Sequence, residues 1–415
     1  MYAQLCIFMF LPITLPNSVT IIVGGATAFL LTYLLTFGVL AICRKLGWFD
    51  APKDRKLHDT PVPRLGGIAI WLAFIIASLF FYAPALDPKY PQVQVIFGHS
   101  YPKELVIYAL FVLASLLVVA VHVYDDLRGL KPLTKLITQT VAVVILMGPG
   151  LHTFHGVLFF GVHNPFVPSA TVSNPALPWY QQPELTLFIH EPVISLLAIP
   201  AVLFTWFWTT AMMNTINFFD GLDGLAPGVV AIVGLFITII SWRMGQYSIA
   251  ILAAIFTGAV AGFLPHNWNP ARIIMGDSGS QFLGIALAML AVMGGAKFAL
   301  ILMLLGIPIL DLAWVAINRI KRGQHPMQRD VLYLHYRHTH LHYRLLFGGL
   351  NARQICYIIY GATLLFGILA LSLPPIYKFL GFLLVGLTMS SLLWFSTRLQ
   401  HKREEAGQLP VNPAN

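Results

Sequence analysis

The chain has 415 residues, of which 58% are hydrophobic and only 10% charged. A soluble domain carries about a quarter charged residues, so a water-facing surface cannot be built here and a bilayer must serve as solvent for most of the chain. Three cysteines, Cys6, Cys43 and Cys356, are odd in number and two lie in apolar helix-like runs, so no disulfide framework is expected.

Taken in chain order, apolar runs of membrane-spanning length predict eleven helices. They cover 20–43, 65–82, 104–124, 133–149, 193–216, 225–242, 247–264, 280–296, 298–318, 355–372 and 376–396. The expectation is an all-α polytopic membrane protein with one integral domain over 1–396 and a polar, disordered cytoplasmic tail over 397–415. Residues 1–18 are apolar but broken by Pro12 and Pro16, lack a basic leader pattern and stay unassigned. Residues 150–192 form the one long outer loop, where a small β-hairpin or re-entrant cap is expected. Its His152, His155 and His163 fit no standard metal spacing.

Connecting segments alternate sides, and 20 of the 25 Lys and Arg residues fall on one of them. The positive-inside rule makes that side cytoplasmic, with the amino terminus outside and the carboxyl terminus inside. The formal charge of +9 therefore records topology, and no nucleic-acid partner is expected. Most acidic residues share the basic side. Only Asp311 resembles the midplane carboxylate of a transporter.

Five polar segments punctuate that side. Loop 44–64 ends in a Pro-broken basic run holding Lys56 and Arg64, suited to phosphate and equally explained by topology. Segment 125–135 opens with adjacent Asp125 and Asp126 where a helix leaves lipid, followed by Lys131 and Lys135. Two such carboxylates are costly without a cation, and magnesium favours carboxylate and phosphate oxygens. Segment 214–226 places Asn214, Asn217, Asp220 and Asp223 at i, i+3 spacing, as one polar face running off a helix end. Segment 265–280 contains Gly276-Asp277-Ser278-Gly279-Ser280, whose opening N–H groups favour an anion such as a pyrophosphate. Asp277 would repel that anion, and a bridging metal resolves the conflict. Loop 319–353 holds His340, His342 and Arg344, donors suited to a diphosphate and a sugar. Zinc is the weaker alternative, since no cysteine lies nearby and a helix does not co-align i, i+2 residues.

In this order, the segments resemble the polyprenyl-phosphate N-acetylhexosamine-1-phosphate transferase family over about residues 20–370. The resemblance rests on Arg55-Lys56-Leu57-His58 with Val62-Pro63-Arg64-Leu65-Gly66-Gly67, Asp125-Asp126, Asn217 to Ala226, Gly276 to Ser280, and His340-Leu341-His342. It looks closest to the bacterial subgroup that primes O-antigen, common antigen or teichoic acid. That resemblance implies a multi-pass inner-membrane enzyme with a cytoplasmic active site. A UDP-N-acetylhexosamine, UDP-N-acetylglucosamine first, would give sugar-1-phosphate to undecaprenyl phosphate and release UMP.

It further implies that Asp277 and Asn217 hold magnesium, with manganese an alternative. Asp125 or Asp126 would position or deprotonate the lipid phosphate, with a metal role open to both. Lys135 would neutralise phosphate charge, and Asp223 would face the base. Lys56, Arg64, Asn214 and Asp220 complete the substrate set, and His340, His342 and Arg344 would hold donor diphosphate and sugar. A phosphate monoester is largely ionised at neutral pH, so direct attack is favoured over a covalent intermediate. The chain departs from the family at Tyr343, at Ile274 and over 331–339. A homodimer is left open. The rival from another class is a multispan transporter or flippase of a lipid-linked or anionic solute.

Overall fold

A computed structural model describes residues 16–50, 61–82, 93–96, 99–148, 198–293, 297–321, 323, 340–374 and 377–407. The predicted loop 150–192 and its hairpin, Lys56, and the 331–339 segment lie outside the described residues.

In chain order the elements are α1 (Asn17–Leu46), β1 (Phe49–Asp50), β2 (Val62–Pro63), α2 (Gly66–Phe81), β3 (Val93–Ile96) and β4 (His99–Pro102). Then follow α3 (Lys103–Arg128), α4 (Pro132–Met147), α5 (Ala198–Phe219), α6 (Leu225–Arg243), α7 (Tyr247–Asn267) and α8 (Gly276–Met293). The chain continues with α9 (Lys297–Leu304), α10 (Gly306–Lys321), α11 (Leu341–Phe347), α12 (Ala352–Ser372) and α13 (Lys378–Glu405). Seven of these helices, α1, α3, α6, α7, α8, α12 and α13, have the length and apolar character needed to cross a membrane. Shorter α2 and α4 are apolar as well. Both strand pairs are antiparallel, β1 with β2 and β3 with β4.

Packing follows the rule for helices in lipid, where small residues let backbones approach. On α1 the buried residues recur every fourth position, Thr20, Gly24, Ala28, Thr32, Thr36 and Leu40. The remaining faces expose Ile22, Leu30 and Leu34. The most enclosed helix is α8, buried almost throughout from Gly276 to Ala291. Its Phe282 ring contacts Phe74 of α2, Phe111 of α3 and Phe256 of α7. The residues that begin α8 are thereby fixed relative to three neighbouring helices.

Two predicted elements differ. The run 298–318 is not one helix but α9 and α10, parted at Leu305. Pro308 has no N–H to give the Leu304 carbonyl, which removes one rung of the ladder at that point. The tail boundary at 397 also moves, because α13 continues to Glu405. Ser396, Gln400 and Glu404, spaced by four, are buried there and give the polar stretch a partner.

Candidate active site

The site begins with the first turn of α8. Asp126, at the end of α3, turns its carboxylate onto that turn. Its Oδ1 accepts the Asp277 N–H at 2.8 Å, and its Oδ2 accepts the Ser278 N–H at 3.0 Å and hydroxyl at 2.8 Å. Free N–H groups and the helix dipole at an N-terminus favour such an anion. The sequence expectation of a pyrophosphate at these N–H groups is therefore corrected, since the protein's own carboxylate fills the position. Asp126 has a side chain with no solvent exposure. It holds Asp277 in place through the backbone N–H of that residue.

Around this anchor, charges alternate. Arg64 Nε lies 2.9 Å from Asp126 Oδ1, and its Nη2 donates to Asp277 Oδ1 at 3.1 Å. Lys135 Nζ stands 2.5 Å from both Asp277 Oδ2 and Asp125 Oδ2. Asp125 Oδ1 accepts the Leu130 N–H at 2.6 Å, which fixes the α3–α4 turn. Each cation thus faces two carboxylates, the condition under which nearly buried charges are tolerated. Burial works against the Arg64 charge, but Asp126 and Asp277 outweigh it and hold the guanidinium above its ordinary pKa.

Arg64 reaches this position because its strand runs beside the loop that leads into α8. Ile274 N–H donates to the Pro63 carbonyl, and the Gly66 and Gly67 N–H groups donate to the carbonyls of Ile274 and Met275, all at 2.9–3.0 Å. Leu65 sits at φ 116°, a conformation few side chains adopt. Gly67 is needed for close approach, because a Cβ there would lie 2.2 Å from the Gly279 backbone. The Arg-Leu-Gly-Gly motif is therefore a seat for Arg64 as much as a ligand for phosphate.

The α5–α6 turn does not present one polar face, as its spacing suggested. Asn217 Nδ2 donates to Ser280 Oγ at 2.8 Å, and that hydroxyl donates to the Asp277 carbonyl at 3.3 Å, so Asn217 joins the site. Asn214 belongs to an interhelical network instead. It donates to Gln139 Oε1 at 3.1 Å, and Gln139 donates to Gln281 at 2.9 Å, tying α4, α5 and α8 together. The structure places Asn214, expected at the substrate, in this network and not among the ion pairs. Gln139 and Gln281 escaped the sequence reading because a lone Gln in an apolar helix carries no motif. Beyond the end of α5, Asp223 Oδ2 accepts from Asn269 Nδ2 and Ala271 N–H, both at 3.0 Å. Asp220 is half-buried between these groups. Burial, then the negative charge of Asp277, push its carboxyl up to about 8.

The histidines form the other half. His340 caps α11 from outside the helix, so the i, i+2 objection to co-alignment fails. The two rings stack with centroids 5.8 Å apart and planes within 11°. Phe218 continues the stack on His340 at 5.5 Å, and Phe219 meets His342 edge-on at 6.0 Å. The absence of a Cβ at Gly221 admits the His342 ring, since a methyl there would lie 2.2 Å from Nε2. His340 Nδ1 pairs with Asp311 Oδ2 at 2.8 Å, while Asp311 Oδ1 accepts the Leu341 N–H at 2.7 Å. Among the described residues, His340 Nε2 and both His342 ring nitrogens are buried without hydrogen-bond partners. Burial, then the neighbouring His340, lower His342 to about 3, so it is a neutral imidazole at physiological pH. Arg344, expected on the donor, is placed against α13. Its guanidinium donates to Ser396 Oγ at 3.1 Å and Thr397 Oγ1 at 2.7 Å, locking α11 against α13.

The fold thus brings Arg64, Asp125, Asp126, Lys135, Asn217, Asp220 and Asp277 together, with His340 and His342 joined to them through the end of α5. Residues 108–295 match the model of glycosyl transferase family 4. Decaprenyl-phosphate N-acetylglucosaminephosphotransferase of Mycobacterium tuberculosis (strain ATCC 25618 / H37Rv) is 30% identical, with 81% of this chain aligned to 78% of that protein. The probable undecaprenyl-phosphate N-acetylglucosaminyl 1-phosphate transferase of Bacillus subtilis (strain 168) is 27% identical over 86% of this chain and 85% of its own. Phospho-N-acetylmuramoyl-pentapeptide-transferase of Streptococcus thermophilus, also 27% identical, aligns with 80% of this chain and 89% of its own. With that similarity running nearly end to end, and the matched stretch carrying the Asp125, Asp126, Lys135, Asn217 and Asp277 cluster, the chain belongs to glycosyl transferase family 4.

Proposed function

We propose that this protein transfers N-acetylglucosamine-1-phosphate from its UDP-sugar to undecaprenyl phosphate, releasing UMP and starting a cell-surface glycan. The observation that carries the reading is the convergence of alternating charges on Asp277 at the end of the bundle where the two stacked histidines also lie. The names of the relatives supply the substrate class. The eleven helical segments, with α9 and α10 as one interrupted span, alternate across an inner membrane and put this end in the cytoplasm. That placement lets a lipid headgroup and a soluble nucleotide sugar meet, and a homodimer is compatible with it.

The donor set suits a hard divalent cation. Asp125 and Asp277 already direct one oxygen each at a single positive centre, Lys135 Nζ. Asp277 keeps 18% of its side chain exposed, against 3% for Asp125. Asp277, Asp125 and Asn217 would hold magnesium, or manganese, with Asp126 aligning Asp277 from behind. When bound, the ion would supply positive charge to the donor diphosphate.

Protein groups account for the rest. Lys135 and Arg64 neutralise phosphate charge, Asp223 faces the base, and the histidines offer ring nitrogens to diphosphate and sugar. An oxygen of the lipid phosphate attacks the phosphorus that carries the sugar. One P–O bond forms as the bond to the bridging oxygen breaks, and UMP leaves with that electron pair. The attacking oxygen is already ionised at neutral pH, so catalysis is positioning and charge stabilisation.

A purified-protein assay for UMP release tests this, using undecaprenyl phosphate, UDP-N-acetylglucosamine and magnesium, with EDTA and lipid-free controls. Release that depends on lipid and metal is expected. Silence across a panel of UDP-N-acetylhexosamines would return the protein to the transporter class. That class loses its one candidate carboxylate here, because Asp311 is engaged by His340.

A further inference from the structure

Asp311 lies on α10, outside every motif by which the site was recognised, yet it is nearly as enclosed as Asp126, with a side chain only 2% exposed. Both its oxygens are directed at one place in the fold, Oδ2 at His340 Nδ1 and Oδ1 at the Leu341 N–H, at 2.8 and 2.7 Å. The second contact fixes the carboxylate, since Leu341 N–H is the first donor of α11. The first contact fixes the imidazole. A carboxylate oxygen accepts, so the proton of His340 sits on Nδ1. The remaining nitrogen, Nε2, is buried without a partner among the described residues, and a buried polar atom left so is the exception in proteins. Phe218 on one side and His342 on the other hold the ring plane.

We infer that Asp311 is a positioning residue for the transfer reaction, acting through His340. It sets the tautomer and tilt that present Nε2, an acceptor in this tautomer, to a hydroxyl or N–H of the donor sugar. The arrangement uses the logic by which a carboxylate behind a histidine fixes the tautomer and orients the ring. The break at Leu305 serves this purpose, because it starts a separate helix that carries Asp311 to the cap of α11.

The inference rests on the proposed donor chemistry, and a double-mutant cycle tests it against the wild-type assay. Asp311→Asn is expected to lower kcat/KM for UDP-N-acetylglucosamine roughly 10–100-fold, with KM for undecaprenyl phosphate within about twofold. Because Asp311 acts through His340, adding Asp311→Asn to His340→Ala should cost no further activity. A packing role would give additive losses, and additivity overturns the proposal, as does an Asp311→Asn rate within threefold of wild type. Should Asp311→Asn not yield folded protein, His340→Asn decides. Its amide nitrogen can still donate to Asp311 but offers nothing at the Nε2 position, so activity should fall as far as in His340→Ala. Retained activity would sink the role of Nε2. An inactive wild type, folded and supplied with both substrates, would fail the donor reading and this role together.

Discussion

The two halves of the site treat polar burial in opposite ways. In the carboxylate half, each charge meets an opposite one, from Lys135 through Asp277 and Arg64 to Asp126. In the histidine half, three buried ring nitrogens have no partner among the described residues. The first half is internally ion-paired and held rigid by the start of α8. The second carries polar atoms whose burial is repaid only when something donates or accepts there. Paired charges and unpartnered ring nitrogens thus sit on separate elements, which makes the division testable.

The largest expected effect breaks the first half. Asp277→Asn keeps the side-chain shape but removes the charge that faces both Arg64 and Lys135. Turnover should fall at least 1,000-fold, about 4 kcal/mol in the barrier, in a protein that still elutes as folded. A rate within about tenfold, a change of only ~1.4 kcal/mol, would remove Asp277 from the centre of the chemistry. Next comes the second half. His342→Ala should raise KM for the UDP-sugar about tenfold while leaving KM for the lipid unchanged, because its unpartnered nitrogens stand apart from the charge cluster. Equal losses for both substrates would mean that the halves are not separable.

A smaller effect belongs to the seat of the first half. Gly67→Ala would drive a methyl into the Gly279 backbone, 2.2 Å away. Overpacking of this kind costs about 1–3 kcal/mol, seen as a lower midpoint of thermal unfolding. Activity should fall too, because Arg64 rides on the same strand. An unchanged midpoint would show that this contact relaxes freely.

How much of this was legible in the sequence follows from the range of each interaction. Helix bounds were readable where lipid demands long apolar runs, so the predicted 65–82 and 225–242 stand close to Gly66–Phe81 and Leu225–Arg243. The break at Leu305 was masked by that same apolarity, although Pro308 marked it. The extension of α13 was hidden because its buried Gln400 and Glu404 read as a solvated tail. Motif residues were found by type, but their roles depend on partners far along the chain. Asp126 and Asp277 are 151 residues apart, and no local pattern says that one caps the helix bearing the other. His340 and Asp311 are 29 apart, in segments with different periodicity. Arg344 carried the charge expected of a phosphate ligand, and only packing shows it donating to Thr397 of α13.

The smallest expected effect sharpens the contrast between ion-paired and neutral groups. His342 is held uncharged, with its pKa lowered to about 3 from an ordinary 6.5 by burial and by His340. In the unfolded chain the same imidazole takes up its proton near 6.5. Between these values the unfolded state binds more protons, so stability is whole above about 6.5 and is lost as pH falls toward 3. One proton sets the slope at no more than about 1.4 kcal/mol per pH unit, so a drop from pH 6.5 to 5 removes at most ~2 kcal/mol. His342→Phe keeps a planar ring in the stack between His340 and Phe219 and cannot titrate. Thermal unfolding in detergent at pH 7 and pH 5 should therefore show wild type losing a few degrees more than the variant. The Asp277 cluster answers to its own ion pairs and contributes equally in both proteins, so it cancels from the comparison. Identical pH dependence in the two would mean that His342 is reached by a proton in the folded state, and that the second half is not the dry, neutral pocket described here.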